Sequence, residues 1–211
     1  MEIKTNFYIE SLKEYQELRK ENNNEKPELL FHICCGACSC YPLVFLHDLF
    51  KVTIFFSNSN IYPRNEYDKR LDTLKKYVEI LNEKLGDDMK IIEDNYDYES
   101  FRTNLLPYKD QPENSDRCHI CITKRLERLF DYASKHDYHL VSTVMSISRN
   151  KDSDFLNKTG LMLQKAYPGI RYFVNDFKKG GGQDKGIKIS KQFDIYRQDY
   201  CGCEFSIYYD E

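Results

Sequence analysis

The chain has 211 residues, with charged residues at 31%, hydrophobic residues at 41% and a formal net charge of −3. That length and composition suit one globular domain with a real core and exclude a disordered chain. No apolar run approaches the roughly 20 residues that cross a bilayer, and the charged stretch from Met1 to Lys20 lacks the apolar segment of a signal peptide. A cytoplasmic protein without a membrane partner is expected, and the slightly acidic balance means that any nucleic-acid partner has to be held by a local basic patch.

Taken in chain order, residues 1–25 read as an N-terminal helix and an Asn-rich linker, followed by a single α/β catalytic domain over 26–211. Glu28 to Ile33 is a short apolar strand that runs into cysteines. A helix is expected from Cys38 to Leu49, and Val52 to Phe56 is β-branched and aromatic, as a buried strand should be. From Pro63, the residues Tyr67, Leu71, Leu74, Val78, Leu81 and Leu85 recur at three- and four-residue steps and predict a long amphipathic helix. Met89 to Ile92 is a third strand, Asp97 to Leu105 a short helix, and Pro107 to Asp116 a polar loop. Ile122, Leu126, Leu129 and Ala133 mark another helix. A strand at His139 to Met145, a helix at Lys151 to Lys165 and a strand at Arg171 to Val174 follow. The remaining stretch is punctuated by Gly180, Gly181 and Gly182 and ends at Cys201–Gly202–Cys203.

This alternation predicts an α/β fold: an open, mainly parallel, Rossmann-like sheet flanked by helices. Ligands of such sheets sit at the carboxyl ends of the strands, near the switch in strand order. The cysteines after the first strand, Ser146 to Asn150 after the fourth and Asn175 to Lys179 after the fifth are therefore expected at the site.

Eight cysteines stand out. In a reducing compartment metal ligation or redox chemistry is the better reading than disulfides. Cys34, Cys35 and Cys38, then Cys118 and Cys121, then Cys201 and Cys203 form three groups beside glycines or helix starts, where thiolates are favoured. A zinc site would use four and leave four spare, whereas a [4Fe–4S] cluster with a neighbouring metal ion would employ seven or eight. Adjacent Cys34 and Cys35 are expected to point apart and serve two centres. Cys40, about 200° around the helix from Cys38, is expected to face packing instead. His32 is expected in the core or behind the ligands, and His47, His136 and His139 have no cysteine neighbours.

The segments Leu30–Phe31–His32–Ile33–Cys34–Cys35–Gly36–Ala37–Cys38, Phe55 to Tyr67, Thr143 to Ser148, Arg117–Cys118–His119–Ile120–Cys121, Asp176 to Lys179 and Tyr196 to Cys203 together resemble the QueH type of epoxyqueuosine reductase, over residues 28 to 206. The resemblance implies reduction of the epoxide of epoxyqueuosine in tRNA to the cyclopentene of queuosine, the last step of queuosine biosynthesis, without cobalamin. It further implies a [4Fe–4S] cluster beside a second metal ion, with iron expected, and a fold similar to the nucleotide-binding α/β layers of tRNA-modifying enzymes. Cys34, Cys35, Cys118, Cys121, Cys201 and Cys203 fall on that family's cysteine motifs. Cys38 stands where aspartate also occurs, and Gly36–Ala37 replace a common Ala–Pro.

Removing an epoxide oxygen as water takes two electrons and two protons, so an electron donor is required, of a kind the sequence leaves unspecified. Asp176 and Asp199 are the candidate proton donors. Lys178, Lys179, Lys185, Lys188 and Lys191 around the glycine run, with Arg149, Lys151 and Arg197, are the candidate tRNA grip, and Tyr62 and Tyr200 are candidates to stack on an unstacked wobble base. Three rivals remain. An ATP-using tRNA-thiolating or amidating enzyme would need a phosphate-binding loop where Cys34 to Cys38 stand. An iron–sulfur thiol–disulfide reductase subunit would repeat its CCG set. A non-catalytic zinc-stabilised binding module would hold zinc without sulfide.

Overall fold

A computed structural model of the chain describes residues 5–21 and 25–207; the Asn-rich part of the expected linker, Asn22–Asn24, lies outside the described residues. Five strands run β1 Glu28–His32, β2 Lys51–Phe56, β3 Lys90–Glu93, β4 Leu140–Thr143 and β5 Arg171–Tyr172. They form one open sheet in the order β3-β2-β1-β4-β5, and every pairing is parallel. Seven α-helices are seen among the described residues: α1 Phe7–Glu21, α2 Gly36–Leu46, α3 Arg64–Leu85, α4 Tyr98–Leu105, α5 Asp116–Lys135, α6 Ser153–Ala166 and α7 Gly182–Gln192.

Side chains alternate across a strand, and a parallel sheet covered on both faces buries both sets. Leu29, Phe31, Val52, Ile54 and Phe56 pack into one core with residues of α2 and α3, while Leu30, Phe55 and Val141 pack into the other with residues of α5 and α6. Each fully buried Leu, Ile or Phe contributes about 2 kcal/mol of apolar burial. The two-sided cover explains why the central strands read as apolar runs. α3 presents Tyr67, Leu71, Leu74, Val78 and Leu81 to the first core. Its C-terminus is closed by Gly86 in the left-handed region, where glycine is at no disadvantage. α1 lies at the β5 edge, where Glu14 pairs with Arg171 at 2.8 Å.

The expected architecture is therefore present, with local differences: α2 runs Gly36–Leu46 rather than Cys38 to Leu49, β5 ends at Tyr172 rather than Val174, and three further departures have visible causes. β4 stops at Thr143 and the chain turns into a 3-10 helix over Val144–Ile147, capped by the Thr143 hydroxyl accepting the Met145 N–H. The helix expected from Lys151 starts at Ser153, because the Asp152 side chain caps it by accepting the Asp154 N–H. The stretch after the glycine run is not a mere connection: it holds α7, which packs along α2. The connections after β1 and after β4 leave on opposite faces, so the switch in strand order falls between these two strands.

Candidate metal centre

At the carboxyl end of β1 the chain runs straight from His32 into the first cysteine group. Cys35 is the N-cap of α2, with extended backbone (φ −171°, ψ 158°), and its Sγ accepts the Cys38 N–H at 3.3 Å. That cap folds the turn back on itself. The Sγ atoms of Cys34, Cys35 and Cys38 consequently lie within 4.8 Å of one another, with Cys34 and Cys35 at 3.9 Å. The expectation that Cys34 and Cys35 point apart is thus overturned. Neighbours diverge in a regular strand or helix, but these two straddle the junction between one and the other. Gln198 Nε2 donates to Cys35 Sγ at 3.0 Å and approaches Cys38 Sγ at 3.6 Å.

The three thiols are not equivalent. Hydrogen bonds from Cys35 and Cys38, with the charges of Arg125 and Lys151, hold the Cys34 thiol well below its ordinary range. Burial first, and the neighbouring sulfurs next, push Cys35 up, and Cys38, which shares its proton with Cys34, is pushed up to about 12. Binding a soft metal here would displace the protons of these thiols, since the thiolate is the ligand form.

A second group assembles from two other segments. Cys118 and Cys121, one helical turn apart, open α5, and the Asn114 N–H donates to Cys118 Sγ at 3.3 Å. The tail brings in Cys201 and Cys203. The Arg70 side chain, only 1% exposed, bonds Glu66 at 2.6 Å and donates to the carbonyls of Cys201 and Tyr200, both at 3.2 Å. Gly202 adopts φ +105°, which only glycine accepts readily, and a Cβ there would sit 3.1 Å from Arg70 Nη1. Its carbonyl accepts the Tyr62 N–H at 2.8 Å. Burial pushes the Cys121 thiol up against the pull of Arg125, and burial with the Cys201 and Cys121 charges pushes Cys203 up to about 12.

The two groups meet. A cavity of about 320 Å³ is lined by Cys34, Cys38, Cys201, Arg125, Lys151 and Asp199 among others. A recess beside it is lined by Cys118, Cys121 and Cys201 and shares Glu113, Arg125, Asn150 and Lys151 with that cavity. Both lie where β1 and β4 end, at the switch in strand order. All eight cysteines are free. The three sulfur donors of Cys34, Cys35 and Cys38, within 4.8 Å of one another, suit a soft metal ion, and Cys118, Cys121 and Cys201 line the adjoining recess. Cys40 is elsewhere: fully buried, it points its Sγ at the Gly36 carbonyl at 3.4 Å.

Other expected residues fall in different places. Ser148, Asn150 and Lys151 line the cavity, as do Tyr200 and Asp199. Asn175 to Lys179 do not appear in its lining. Instead Asn175 braces the loop after β4, accepting the Ser146 hydroxyl and donating to Ser142 Oγ at 2.8 Å. Asp176 is buried and accepts from Ser153 Oγ at 3.1 Å and from the Lys178 N–H at 3.3 Å. Lys178 is turned inward, its Nζ donating to the Lys151 carbonyl at 3.1 Å. Arg149 and Arg197 line a second groove of about 340 Å³ that shares Cys38, Ser148 and Gln198 with the cavity. Lys179, Lys185, Lys188 and Lys191 are exposed. The Tyr200 hydroxyl donates to the Tyr62 carbonyl, and the Tyr62 ring packs on Tyr98 at 5.0 Å. His32 is fully buried, with Nδ1 2.8 Å from Thr143 Oγ1 and Nε2 3.2 Å from the Ser57 carbonyl.

Three residues at the site were not singled out from the sequence: Gln198, Arg70 and Arg125. Arg125 had a signal, because Cys118, Cys121 and Arg125 follow the three- and four-residue steps of one helix face. Arg70 likewise falls on the Tyr67–Leu74 face of α3, and Gln198 lies within the quoted Tyr196 to Cys203 segment, but neither position by itself indicates a contact with the cysteines or the tail.

Comparison with known proteins gives a consistent result. The family model described as epoxyqueuosine reductase QueH matches residues 29–208. The epoxyqueuosine reductase QueH of Streptococcus pyogenes is 32% identical over 88% of this chain and 72% of its own length. The Staphylococcus aureus protein of the same name is 35% identical over 86% of this chain and 76% of its own. The Thermotoga maritima one is 34% identical over 85% and 90%.

Proposed function

The chain belongs to the epoxyqueuosine reductase QueH family, an oxidoreductase family, and from that premise we propose that it reduces epoxyqueuosine in tRNA to queuosine with an iron–sulfur centre. The observation that carries this reading is the convergence of Cys34 and Cys38, of Cys118 and Cys121, and of Cys201, from three separated segments, on adjoining cavities at the carboxyl ends of β1 and β4.

Cys34, Cys35 and Cys38 would hold one metal centre, and Cys118, Cys121, Cys201 and Cys203 have the number and kind of donors for a [4Fe–4S] cluster, the second metal being iron by preference. When bound, these groups supply electrons one at a time and polarise the epoxide oxygen. The chain's own residues do the rest. Asp199 lines the cavity and is exposed to solvent, so its carboxyl can take up and deliver a proton to the departing oxygen. Asp176 is committed to Ser153 and Lys178 and fixes the lysine. Arg149, Arg197, Lys151, Lys179 and Lys185 offer phosphate contacts beside the cavity, and the Tyr200 face offers a stacking surface for an extruded base.

The test is mass spectrometry of nucleosides after anaerobic incubation of iron- and sulfide-loaded protein with dithionite and tRNA carrying epoxyqueuosine. Queuosine should form with the native chain, and Cys118→Ala should reduce its formation to background. Persistence of epoxyqueuosine with a fully loaded centre would reject the substrate, and zinc uptake without sulfide would reject the redox chemistry.

A further inference from the structure

Arg125 is the buried cation of this site that lacks a counter-charge. It is 3% exposed and lines the large cavity and the recess alike. Its Nη2 donates to Asn58 Oδ1 at 2.7 Å and lies 3.4 Å from His32 Nε2, while Nε has no partner. Among the described residues no carboxylate lies within ion-pair distance of it; Glu113 shares its cavity but is not paired with it.

Of the other buried arginines, Arg70 is neutralised by Glu66, and Arg117, which lines neither cavity, gives its guanidinium to the neutral Lys109 carbonyl and Ser206 hydroxyl. A guanidinium does not lose its proton in a protein, and an uncompensated buried charge is strongly unfavourable. The partners Arg125 does have cannot supply a negative charge. Asn58 is neutral and is itself fixed by donating to the Ile33 carbonyl at 2.8 Å, and His32 is clamped between Thr143 and Ser57. Beyond Glu113 and Asp199, which line the cavity without pairing with Arg125, the groups that could bring negative charge to it are the sulfurs of Cys34 at the cavity and Cys121 at the recess.

We propose that Arg125 is a positioning residue whose fixed positive charge is matched by the sulfur-bound centre and raises that centre's reduction potential. A cation held beside a cluster favours the form with one more electron, and net charge and hydrogen bonds to sulfur are what set such potentials. The inference rests on the proposed iron–sulfur centre.

Anaerobic redox titration of the loaded protein, followed by visible absorption and electron paramagnetic resonance, tests it. Arg125→Gln should move the midpoint to a more negative value, and Arg125→Lys, which keeps the charge, should stay close to the native midpoint. Asn58→Asp places a carboxylate on the guanidinium without removing it, and should shift the midpoint in the same direction as Arg125→Gln. Loss of the centre from Arg125→Gln with retention in Arg125→Lys would also support the proposal, since charge rather than shape would then decide loading. If Arg125→Gln does not fold, Asn58→Asp decides by itself. Native midpoints in loaded Arg125→Gln or Asn58→Asp, or an Arg125→Lys midpoint as low as that of Arg125→Gln, would overturn the proposal alone. A native chain that takes up no iron and sulfide would overturn the centre itself, and this inference with it.

Discussion

Single side chains divide the cysteines by surroundings rather than by spacing. Cys40 sits two residues from Cys38 yet is enclosed by the core, and burial pushes its thiol up to about 12. Cys40→Ala should leave the iron content of loaded protein unchanged while lowering stability by about 1 kcal/mol for the lost sulfur, read from urea unfolding. A different residue governs behaviour in acid. Burial pushes the Asp94 carboxyl up, but two hydrogen bonds from Arg128, at 2.7 and 2.5 Å, and one from Ser57 outweigh it and hold it below its ordinary value. A depressed folded value means that the unfolded chain takes up the proton first, so this stabilisation is present above the unfolded pKa of about 3.9 and lost as pH falls through the folded value. Asp94→Asn should therefore cost about 1 kcal/mol at pH 7, the partly exposed Arg128 limiting the effect, and the difference should be smaller at pH 3. Unfolding curves at both pH values read this directly.

Among the elements, α7 shows what periodicity cannot see. Its opening is glycine and its exposed face is lysine, so neither propensity nor an apolar repeat marks it as a helix. What makes it a helix is docking on α2: Gly182 lies so near the chain that a Cβ would sit 2.1 Å from the Phe177 carbonyl oxygen and 2.6 Å from the Tyr41 ring. A backbone oxygen cannot step aside, so Gly182→Ala should cost about 1–3 kcal/mol, measured by thermal or urea unfolding. By contrast, α3 was legible from its apolar steps, and β1 and β2 from their unbroken apolar character, because both signals come from burial against the sheet. The end of β4 was not, since the Thr143 hydroxyl, and not hydrophobicity, turns the chain there.

For the molecule as a whole, strand–helix alternation predicted the parallel sheet that is present, and its rule that ligands collect where strand order switches pointed to the end of β1, where the cysteine group and the cavity lie, but also to Asn175 to Lys179, which do not line it. The sequence also pointed to three cysteine groups on separate segments. It did not disclose that Cys34 and Cys35 turn their sulfurs the same way, or that Arg70 fastens the tail, because both depend on contacts between residues far apart in the chain. Arg70 bridges α3 to the carbonyls of Tyr200 and Cys201, and Tyr98 and Arg102 hold Glu204 just beyond, at 2.5 and 2.7 Å. Arg70→Met leaves Glu66 without its cation and the tail without its clasp. It should destabilise the fold by about 3 kcal/mol and reduce the iron bound per chain, with proteolytic nicking appearing near residues 198–203. Metal analysis and limited digestion of the same preparation would show both.

That clasp also sets an order of events in the making of the protein. The cavity walls come from Cys34 and Cys38 on one side and from Cys201 on the other. β1, β2 and α3 are contiguous in the chain and do not need the tail to meet, but without it they leave Cys34, Cys35 and Cys38 as an open cluster of thiols. Translation has to pass Cys203 before the tail can fold over Arg70 and close the second sulfur group. Until the tail is clasped by Arg70 the cavity lacks Cys201, and any metal that arrives finds only the sulfurs of Cys34, Cys35 and Cys38.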